Sequence, residues 1–355
     1  MGATPRDNLL RTLRRQGFDW TPVESGAFCP AQVEAFEKRF GHSDVEGWFG
    51  NPMRSVWLPL RPGYEPGSEA DLFPRESLPA DTSVDEWGVG HSRHPGCWHM
   101  TRMHHPLRGE EVAADDILRH PFPVLDPADA APLADSCQAI RARGLAVMAT
   151  MPCTVWETAW YLRSMEDLMV DMMCGDDRAT VLLDRVTALS AARAGACARA
   201  GADILQLGDD IGMQQTTMMG LDLWRTWLKP RLARVIDAAR AVRPDLLVFY
   251  HSCGFVAPFL GELAEIGVDI LNPVQPECMA FADVVREAAG KLSFWGTIGT
   301  QRLLPFGTPE EVKAAVRENI RLCGDAGGLV VGPTHMVEPE VPWENLVAMK
   351  DAAAS

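Results

Sequence analysis

The sequence predicts an α/β fold with a parallel sheet, built either as a (β/α)8 barrel or as an open doubly wound sheet. Three observations lead to this prediction. Short β-rich runs alternate with longer helical patterns from about residue 144 onward, each run is almost wholly apolar, and six such runs follow one another. Parallel strands covered on both faces have continuous apolar sequences, and ordered strand–helix repeats imply right-handed crossovers. A barrel needs two more strands, and "TPVES" at 21–25 is one candidate.

Helical patterns separate the predicted strands. The helix predicted over 308–324 begins with a capping box formed by Thr308 and Glu311, and a similar pair, Thr154 and Glu157, predicts the start of another helix. The strands are "LAVMAT" at 145–150, "ADILQLG" at 202–208, "LLVFYHS" at 246–252, "VDILNPV" at 268–274, "LSFWGTI" at 292–298 and "GLVVGPT" at 328–334.

The first third of the chain has a different character. The N-terminal segment "MGATPRDNLLRTLRRQGFDW" is charged and amphipathic, which predicts a helix, whereas 49–123 is rich in Pro, Gly, Trp and His. Within that range, "DEWGVG" and "HSRHPGCWHMTRMHHPL" predict a hairpin with long loops. We therefore expect one domain over 1–355, in which 49–123 is an insertion over the mouth of the barrel.

Composition narrows the classes of partner. The formal net charge of −15 disfavours binding to nucleic acid or to anionic membranes. No run approaches the roughly 20 apolar residues of a membrane span, and the charged start lacks the apolar centre of a signal peptide. We expect a cytoplasmic protein whose nine scattered cysteines are mostly buried and reduced.

Polar side chains follow the ends of the predicted strands. Because the carboxyl ends of parallel strands form one face, where ligands bind, we expect these side chains to meet. The candidates are Asp209, Asp210 and Gln214 after the second strand, His251 and Cys253 after the third, Asn272 and Gln275 after the fourth, Gln301 after the fifth, and His335 after the sixth.

His251 and Cys253 are the strongest metal candidates. Residues two apart in an extended strand point the same way, and Zn²⁺ accepts both imidazole nitrogen and thiolate sulfur. His335 is the best-placed third ligand, which would give a catalytic site with an exchangeable fourth position. The alternative is a hydrogen-bonded core histidine beside an inert thiol.

The other candidate functional residues also have simple structural interpretations. Asp209 and Asp210 are predicted catalytic residues, but they could instead be a helix N-cap and a solvated carboxylate. The His-rich stretch 91–105 could hold a second metal, although a surface loop is the better interpretation. Three tryptophans could line the pocket or simply pack: Trp87, Trp98 and Trp295.

Five ordered motifs together resemble the uroporphyrinogen decarboxylase-like superfamily, specifically its corrinoid-linked methyltransferase branch. They are "GADILQLGDDIGMQ", "YHSCG", "GVDILNPVQP", "FWGTIGTQRLLPFGTPEEV" and "GPTHMVEPEVPWENLVAM". The resemblance implies a single (β/α)8 TIM-type barrel and a zinc site. His251 and Cys253 match the His-x-Cys pair of that branch, and His335 stands where a cysteine is common. Asp209 or Asp210 is a candidate fourth ligand.

The resemblance also implies an activity: transfer of a methyl group between a small methoxylated or methylated substrate and the cobalt of a corrinoid (cobalamin) carried by a separate small protein. We favour the demethylating direction, in which Asp209 or Asp210 holds or relays a proton. Gln214, Asn272, Gln275 and Gln301 would orient the substrate. A homodimer is a possible assembly.

Other functions on the same barrel remain open. True decarboxylases of the superfamily have an Arg-rich N-terminal motif, but the corresponding "DWTPVESGAFCPAQVEAF" contains no arginine. The alternatives are a zinc-dependent lyase, decarboxylase or hydrolase, and a non-catalytic protein that binds a small molecule.

Overall fold

The computed structural model describes residues 2–74, 76–94 and 101–354. The strands within these ranges are β1 Met53–Val56, β2 Ser83–Val84, β3 Gly90–Arg93, β4 Thr101–His104, β5 Ala146–Met151, β6 Ile204–Gly208, β7 Leu247–His251, β8 Ile270–Asn272, β9 Ser293–Trp295 and β10 Leu329–Val330.

Helices flank and connect these strands. They are α1 Pro5–Leu13, α2 Pro30–Phe40, α3 Val45–Phe49, α4 Ala114–Arg119, α5 Ala130–Ala142, α6 Trp156–Arg163, α7 Met165–Cys174, α8 Asp177–Ala200, α9 Leu221–Trp227, α10 Lys229–Arg240, α11 Leu260–Glu265, α12 Phe281–Ala288, α13 Leu303–Phe306, α14 Pro309–Cys323 and α15 Trp343–Ala353. None of the described helices is long and apolar enough to cross a membrane.

Seven strands form one parallel sheet in the order β1-β5-β6-β7-β8-β9-β10. The segment "TPVES" supplies a further position next to β10, because Val23 pairs with Val331 in parallel. The same segment also contacts the residues that precede β1: the backbone amide of Ser25 donates to Asn51 Oδ1 at 3.0 Å. The sheet therefore curls into an α/β barrel, as predicted, and the open doubly wound alternative is wrong.

The predicted strands and helices are largely confirmed. All six predicted strands form: β5 has the predicted length but is shifted by one residue, and the other five are shorter than their apolar runs. The helix α14 begins with the predicted capping box of Thr308 and Glu311. The strand β1, however, comes from within 49–123, so this range contributes to the barrel as well as to the loops above it. The side chain of Thr154 does not cap α6. The first backbone amides of this helix instead donate to the carboxylate of Asp209, just after β6.

Side chains alternate between the inside and the outside of the barrel along each strand, and this alternation also decides where the site residues point. Leu247 and Phe249 point into the inner apolar cluster, together with three leucines of α1, whereas Val248 and Tyr250 belong to the outer cluster. His251 is the next residue on the inner side, so the strand delivers its imidazole to the open end of the barrel. The remaining inner residues are Met53, Ala146, Met148, Ile204, Ile270, Trp295 and Val330, with Leu9, Leu10 and Leu13 of α1.

A buried carboxylate ties the opposite end of the barrel together. Asp203, whose side chain is fully buried, accepts hydrogen bonds from Arg6 (3.0 and 2.8 Å), Arg141 (2.7 Å) and Arg243 (3.0 Å). These bonds, together with one from the amide of Val147, hold the pKa of Asp203 well below its usual value against the opposing effect of burial. One side chain thus links α1, α5 and the connection after α10 to the start of β6.

The predicted hairpin is present as a three-stranded antiparallel sheet in the order β2-β3-β4. Its histidines are engaged with carboxylates: His91 Nε2 lies 2.9 Å from Asp85 Oδ2, and His104 Nδ1 lies 2.7 Å from Glu76 Oε1. Among the described residues of this stretch, no group of side chains is arranged to hold a metal. Trp98, predicted as a pocket residue, lies outside the described residues.

Candidate metal centre and active site

A cavity of about 920 Å³ opens at the carboxyl ends of the barrel strands. Its wall includes His91, Thr101 and Met103 from the antiparallel sheet, so part of 49–123 faces the barrel mouth. Seven of the nine predicted site residues line the cavity: Asp210, Gln214, His251, Cys253, Gln275, Gln301 and His335. The other two, Asp209 and Asn272, do not.

Three side chains converge as a metal-ligating group. Asp210, His251 and Cys253 each offer one ligand atom, and all three atoms lie within 4.8 Å of one another. His251 Nε2 is 3.5 Å from Cys253 Sγ and 3.7 Å from Asp210 Oδ1. His335 lines the same cavity but lies outside this group. The geometry therefore brings Asp210, rather than His335, next to the His-x-Cys pair.

Asn272 fixes the tautomer of His251. Its Nδ2 donates to the carbonyl oxygen of Trp295 at 2.7 Å, which leaves its Oδ1 facing His251 Nδ1 at 2.6 Å. Because Oδ1 can only accept, Nδ1 carries the proton and Nε2 keeps its lone pair toward Cys253 and Asp210. Such an orienting bond is characteristic of metal-binding histidines. Asn272 thus acts behind His251 instead of facing the cavity, where it was predicted to bind substrate.

The turn after β7 is held tightly in place. The backbone amide of Cys253 donates to Asp210 Oδ1 at 2.7 Å, and the amide of Gly254 donates to Gln275 Oε1. Gly254 has a φ of +86°, and a Cβ there would lie 2.7 to 2.8 Å from backbone atoms of Gly212 and Met213. Only glycine fits this left-handed, crowded position, so the turn that presents Cys253 depends on it.

The surroundings of Cys253 suit a thiolate that is bound to a cation. Burial raises the pKa of its thiol, and the nearby carboxyl groups of Asp210 and Glu157 raise that pKa further. The free thiol is therefore protonated at neutral pH, and a divalent ion would supply the missing positive charge. Thiol sulfur, imidazole nitrogen and carboxylate oxygen form a donor set that Zn²⁺ accepts, so the residues fit zinc.

Asp209 makes the hydrogen bonds of a helix-capping carboxylate. Its carboxylate is buried and accepts hydrogen bonds from the backbone amides of Thr154 (3.3 Å), Val155 (3.1 Å) and Glu157 (2.9 Å). It therefore caps the N-terminus of α6 from the end of the neighbouring strand. Burial raises the pKa of Asp209 to about 7, although these amide donors act in the opposite direction.

Glu157 is a site residue that the sequence interpretation missed. It lines the cavity from the first turn of α6, and its Oε1 accepts a hydrogen bond from the Tyr161 hydroxyl at 3.0 Å. Burial, followed by the charges of Asp210 and Asp209, raises the pKa of Glu157 to about 8. The available signal was its place just after the strand at 145–150, but the pattern with Thr154 indicated a helix cap.

Two glutamines form a reciprocal pair at the rim of the cavity. Gln214 Nε2 donates to Gln301 Oε1 at 3.1 Å, and Gln301 Nε2 donates to Gln214 Oε1 at 3.3 Å. Both side chains are exposed and come from loops that follow different strands. Their amides therefore satisfy each other at the rim.

Aromatic rings and sulfur atoms form another part of the wall. Trp160 and Tyr161 pack edge to face with their ring centroids 4.3 Å apart. Trp295 is not a lining residue of this cavity: it packs in the barrel against Phe249 at 5.5 Å. Trp87 likewise lines no part of it and packs against a phenylalanine. Four methionines complete this part of the wall: Met103, Met213, Met218 and Met336.

The fold and the cavity define an α/β-barrel protein with a candidate ligand site at the carboxyl ends of its strands. The chain belongs to the uroporphyrinogen decarboxylase (URO-D) family, whose model matches residues 102–355. The predicted superfamily is thus confirmed.

Relatives with different activities match the chain. A uroporphyrinogen decarboxylase from Coxiella burnetii is 24% identical over 370 residues, covering 98% of this chain and 94% of the relative. The methylcobamide:CoM methyltransferase MtaA from Methanosarcina barkeri is 26% identical over 168 residues, covering 47% of this chain and 46% of the relative. The relatives therefore include a member of the predicted methyltransferase branch.

A solved structure confirms the fold over the full length. A methyltransferase from Methanosarcina mazei superposes with a TM-score of 0.65 at 20% identity, covering 99% of this chain and 98% of that one. At this level of identity the match establishes the α/β barrel and its connectivity.

Proposed function

We propose that the chain is a zinc-dependent methyltransferase that moves a methyl group between a small methoxylated or methylated molecule and the corrinoid cobalt of a separate carrier protein. We favour removal of the methyl group from the small molecule as the physiological direction. The observation that carries the proposal is the convergence of Asp210, His251 and Cys253 at the barrel mouth, with His251 oriented by Asn272.

These residues would hold the ion. His251 presents Nε2, Cys253 presents sulfur, and Asp210 presents Oδ1, which already orders the Cys253 amide. His335, on the same wall, is our candidate for the fourth ligand. When bound, zinc supplies a Lewis acid that withdraws electron density from the heteroatom bearing the methyl group.

The remaining polar residues would position the substrate. Glu157 lies beside the metal-ligating group with its carboxyl ordered by Tyr161, so it is placed to exchange a proton with the departing heteroatom. Gln214 and Gln301 can open their mutual pair to bind a polar substituent, and Gln275 holds the Gly254 turn. Asp209 supports α6 and touches neither metal nor substrate in this account.

The residues of the cavity wall favour this proposal over decarboxylation. The family also includes decarboxylases, and a Coxiella burnetii member matches nearly the whole chain. Uroporphyrinogen, however, carries many carboxylates, and no lysine or arginine is found among the described residues that line the cavity. Buried carboxylates need paired cations, so this wall suits a different substrate.

The direct test is to mix the zinc-loaded protein with a Co(I) corrinoid and a panel of methoxylated compounds and to follow the cobalt absorption. We expect a spectral change to the methylated corrinoid with at least one compound, and its loss in Cys253→Ala. Cys278→Ala removes a nearby thiol that lies outside the metal-ligating group, and it should retain the change.

A hydrolase or lyase would behave differently in this assay. It would consume substrate without corrinoid. A non-catalytic binding protein would neither consume substrate nor methylate the corrinoid. Unchanged methyl transfer in Cys253→Ala would refute a zinc mechanism at this site.

A further inference from the structure

The cavity wall has a one-sided charge composition. Glu157, Asp210 and Glu338 each contribute a carboxyl group, whereas none of the 33 lysines and arginines of the chain is found among the wall residues that the structure describes. An anionic group that enters the cavity would lose water without gaining a permanently charged partner, which is costly.

A bound zinc ion would not reverse this balance. Its two positive charges would be offset by the Asp210 carboxylate and the Cys253 thiolate, both members of the metal-ligating group. Glu338 lines the wall outside that group. His91, an imidazole of the wall, has its Nε2 2.9 Å from Asp85 Oδ2, so a carboxylate already lies beside this ring. The metal-ligating group with its ion would therefore carry no net positive charge.

The uncharged part of the wall favours rings and cations. Trp160 and Tyr161 offer aromatic surface, and methionine thioethers such as Met218 and Met336 lie in the same wall. Aromatic faces attract cations, and thioether sulfur packs well against aromatic rings.

We infer that the cavity selects its substrate by charge: the part of the substrate that does not react is uncharged or positively charged, and substrates bearing carboxylate, sulfonate or phosphate are rejected. This inference deepens the proposed function and rests on it only for the identity of the ligand as a methyl donor. The charge selection itself is a property of binding and can be measured without methyl transfer.

Three aromatic methyl ethers test this inference: 4-methoxybenzylamine, 4-methoxybenzyl alcohol and 4-methoxyphenylacetate, which are positive, neutral and negative at pH 7. Their dissociation constants for the full zinc-loaded chain would be measured by calorimetry without corrinoid at low ionic strength. We expect the amine to bind at least as tightly as the alcohol, and the acetate to bind at least about tenfold more weakly than the alcohol, since the interaction is electrostatic. Equal or tighter binding of the acetate, or binding of none of the three, would overturn the inference.

A matched pair of variants separates charge from structure. Glu338→Gln should reduce the preference for the amine over the acetate by about threefold or more, whereas Glu340→Gln, at an exposed position outside the wall, should leave it unchanged. Equal weakening of all three ligands in Glu338→Gln would indicate a structural role and contradict the charge assignment. If the three ligands bind in the predicted order while no methyl group reaches the corrinoid, only the proposed methyl transfer is refuted. Efficient methyl transfer from the acetate would refute the charge selection alone.

Discussion

His251 Nδ1 lies 2.6 Å from Asn272 Oδ1, and the amide nitrogen of the same asparagine is held by the carbonyl oxygen of Trp295. Two neighbouring strand ends thus cooperate: β8 supplies the residue that fixes which nitrogen of the β7 histidine is free. This arrangement prepares Nε2 as a ligand before any metal arrives.

Removing this orienting bond should weaken metal binding. In Asn272→Leu, the His251 ring loses its acceptor and can adopt the wrong tautomer, so we expect zinc affinity to fall by about 10- to 100-fold. The measurement is competition for zinc against a chromophoric chelator.

The same substitution elsewhere controls for the loss of a buried amide. Asn319, whose Nδ2 donates to Thr297 Oγ1 at 3.0 Å, is also buried. Asn319→Leu should lower the free energy of unfolding and leave zinc affinity unchanged. Equal loss of affinity in both variants would contradict a specific role for Asn272.

Asp209 is expected to matter for stability and not for metal binding. Asp209→Ala removes the cap of α6, so we expect it to lower the free energy of unfolding by about 1 to 2 kcal/mol. Asp209→Asn keeps an acceptor oxygen and should lose less. Urea unfolding and zinc content check this prediction, and loss of zinc in Asp209→Asn, in a folded protein, would show that the carboxylate acts on the metal.

Asp203 should account for much of the stability at the closed end of the barrel. Asp203→Asn leaves three arginines without their shared carboxylate, and breaking a buried ion pair in this way costs about 3 to 5 kcal/mol. Urea unfolding at pH 7 measures the loss. Asp222→Asn, which removes the ion pair between an exposed carboxylate and Arg225 on α9, should leave stability nearly unchanged.

The contribution of Asp203 should also depend on pH. Because folding lowers its pKa, the stabilisation is fully present above the unfolded value of about 3.9 and is lost progressively as the pH falls below it. The difference between the wild type and Asp203→Asn should therefore be constant from pH 5 to 7 and smaller at pH 3. A difference that grows on acidification would contradict the assigned ion pairs.

The sequence was sufficient to predict the barrel and to pair His251 with Cys253 in the metal-ligating group, whereas Asp210 was one of two candidates for a further ligand. Continuous apolar runs identify parallel strands, and the spacing of His251 and Cys253 at the end of one such run identifies a candidate ligand pair. "TPVES" was also placed correctly, because strand-like residues near the N-terminus were needed for closure.

Contacts between strands were beyond the reach of sequence patterns. Asp209 and Asp210 are adjacent, and the turn after β6 decides that the first caps α6 while the second meets His251. Asn272 looked like a pocket residue because its partner, His251, lies on another strand. Glu157 resembled a helix-capping residue, and its proximity to Asp210 arises only when β5 and β6 pair.

Metal content is the most direct test of the account. The chain would be loaded with zinc, passed through a desalting column and analysed by atomic absorption, beside Asp210→Ala, His251→Ala, Cys253→Ala and His335→Ala. We predict one zinc per chain in the wild type, less than about one tenth of that in the Asp210, His251 and Cys253 variants, and a smaller loss in His335→Ala. Full zinc occupancy in folded Cys253→Ala and His251→Ala proteins would contradict the proposed metal centre.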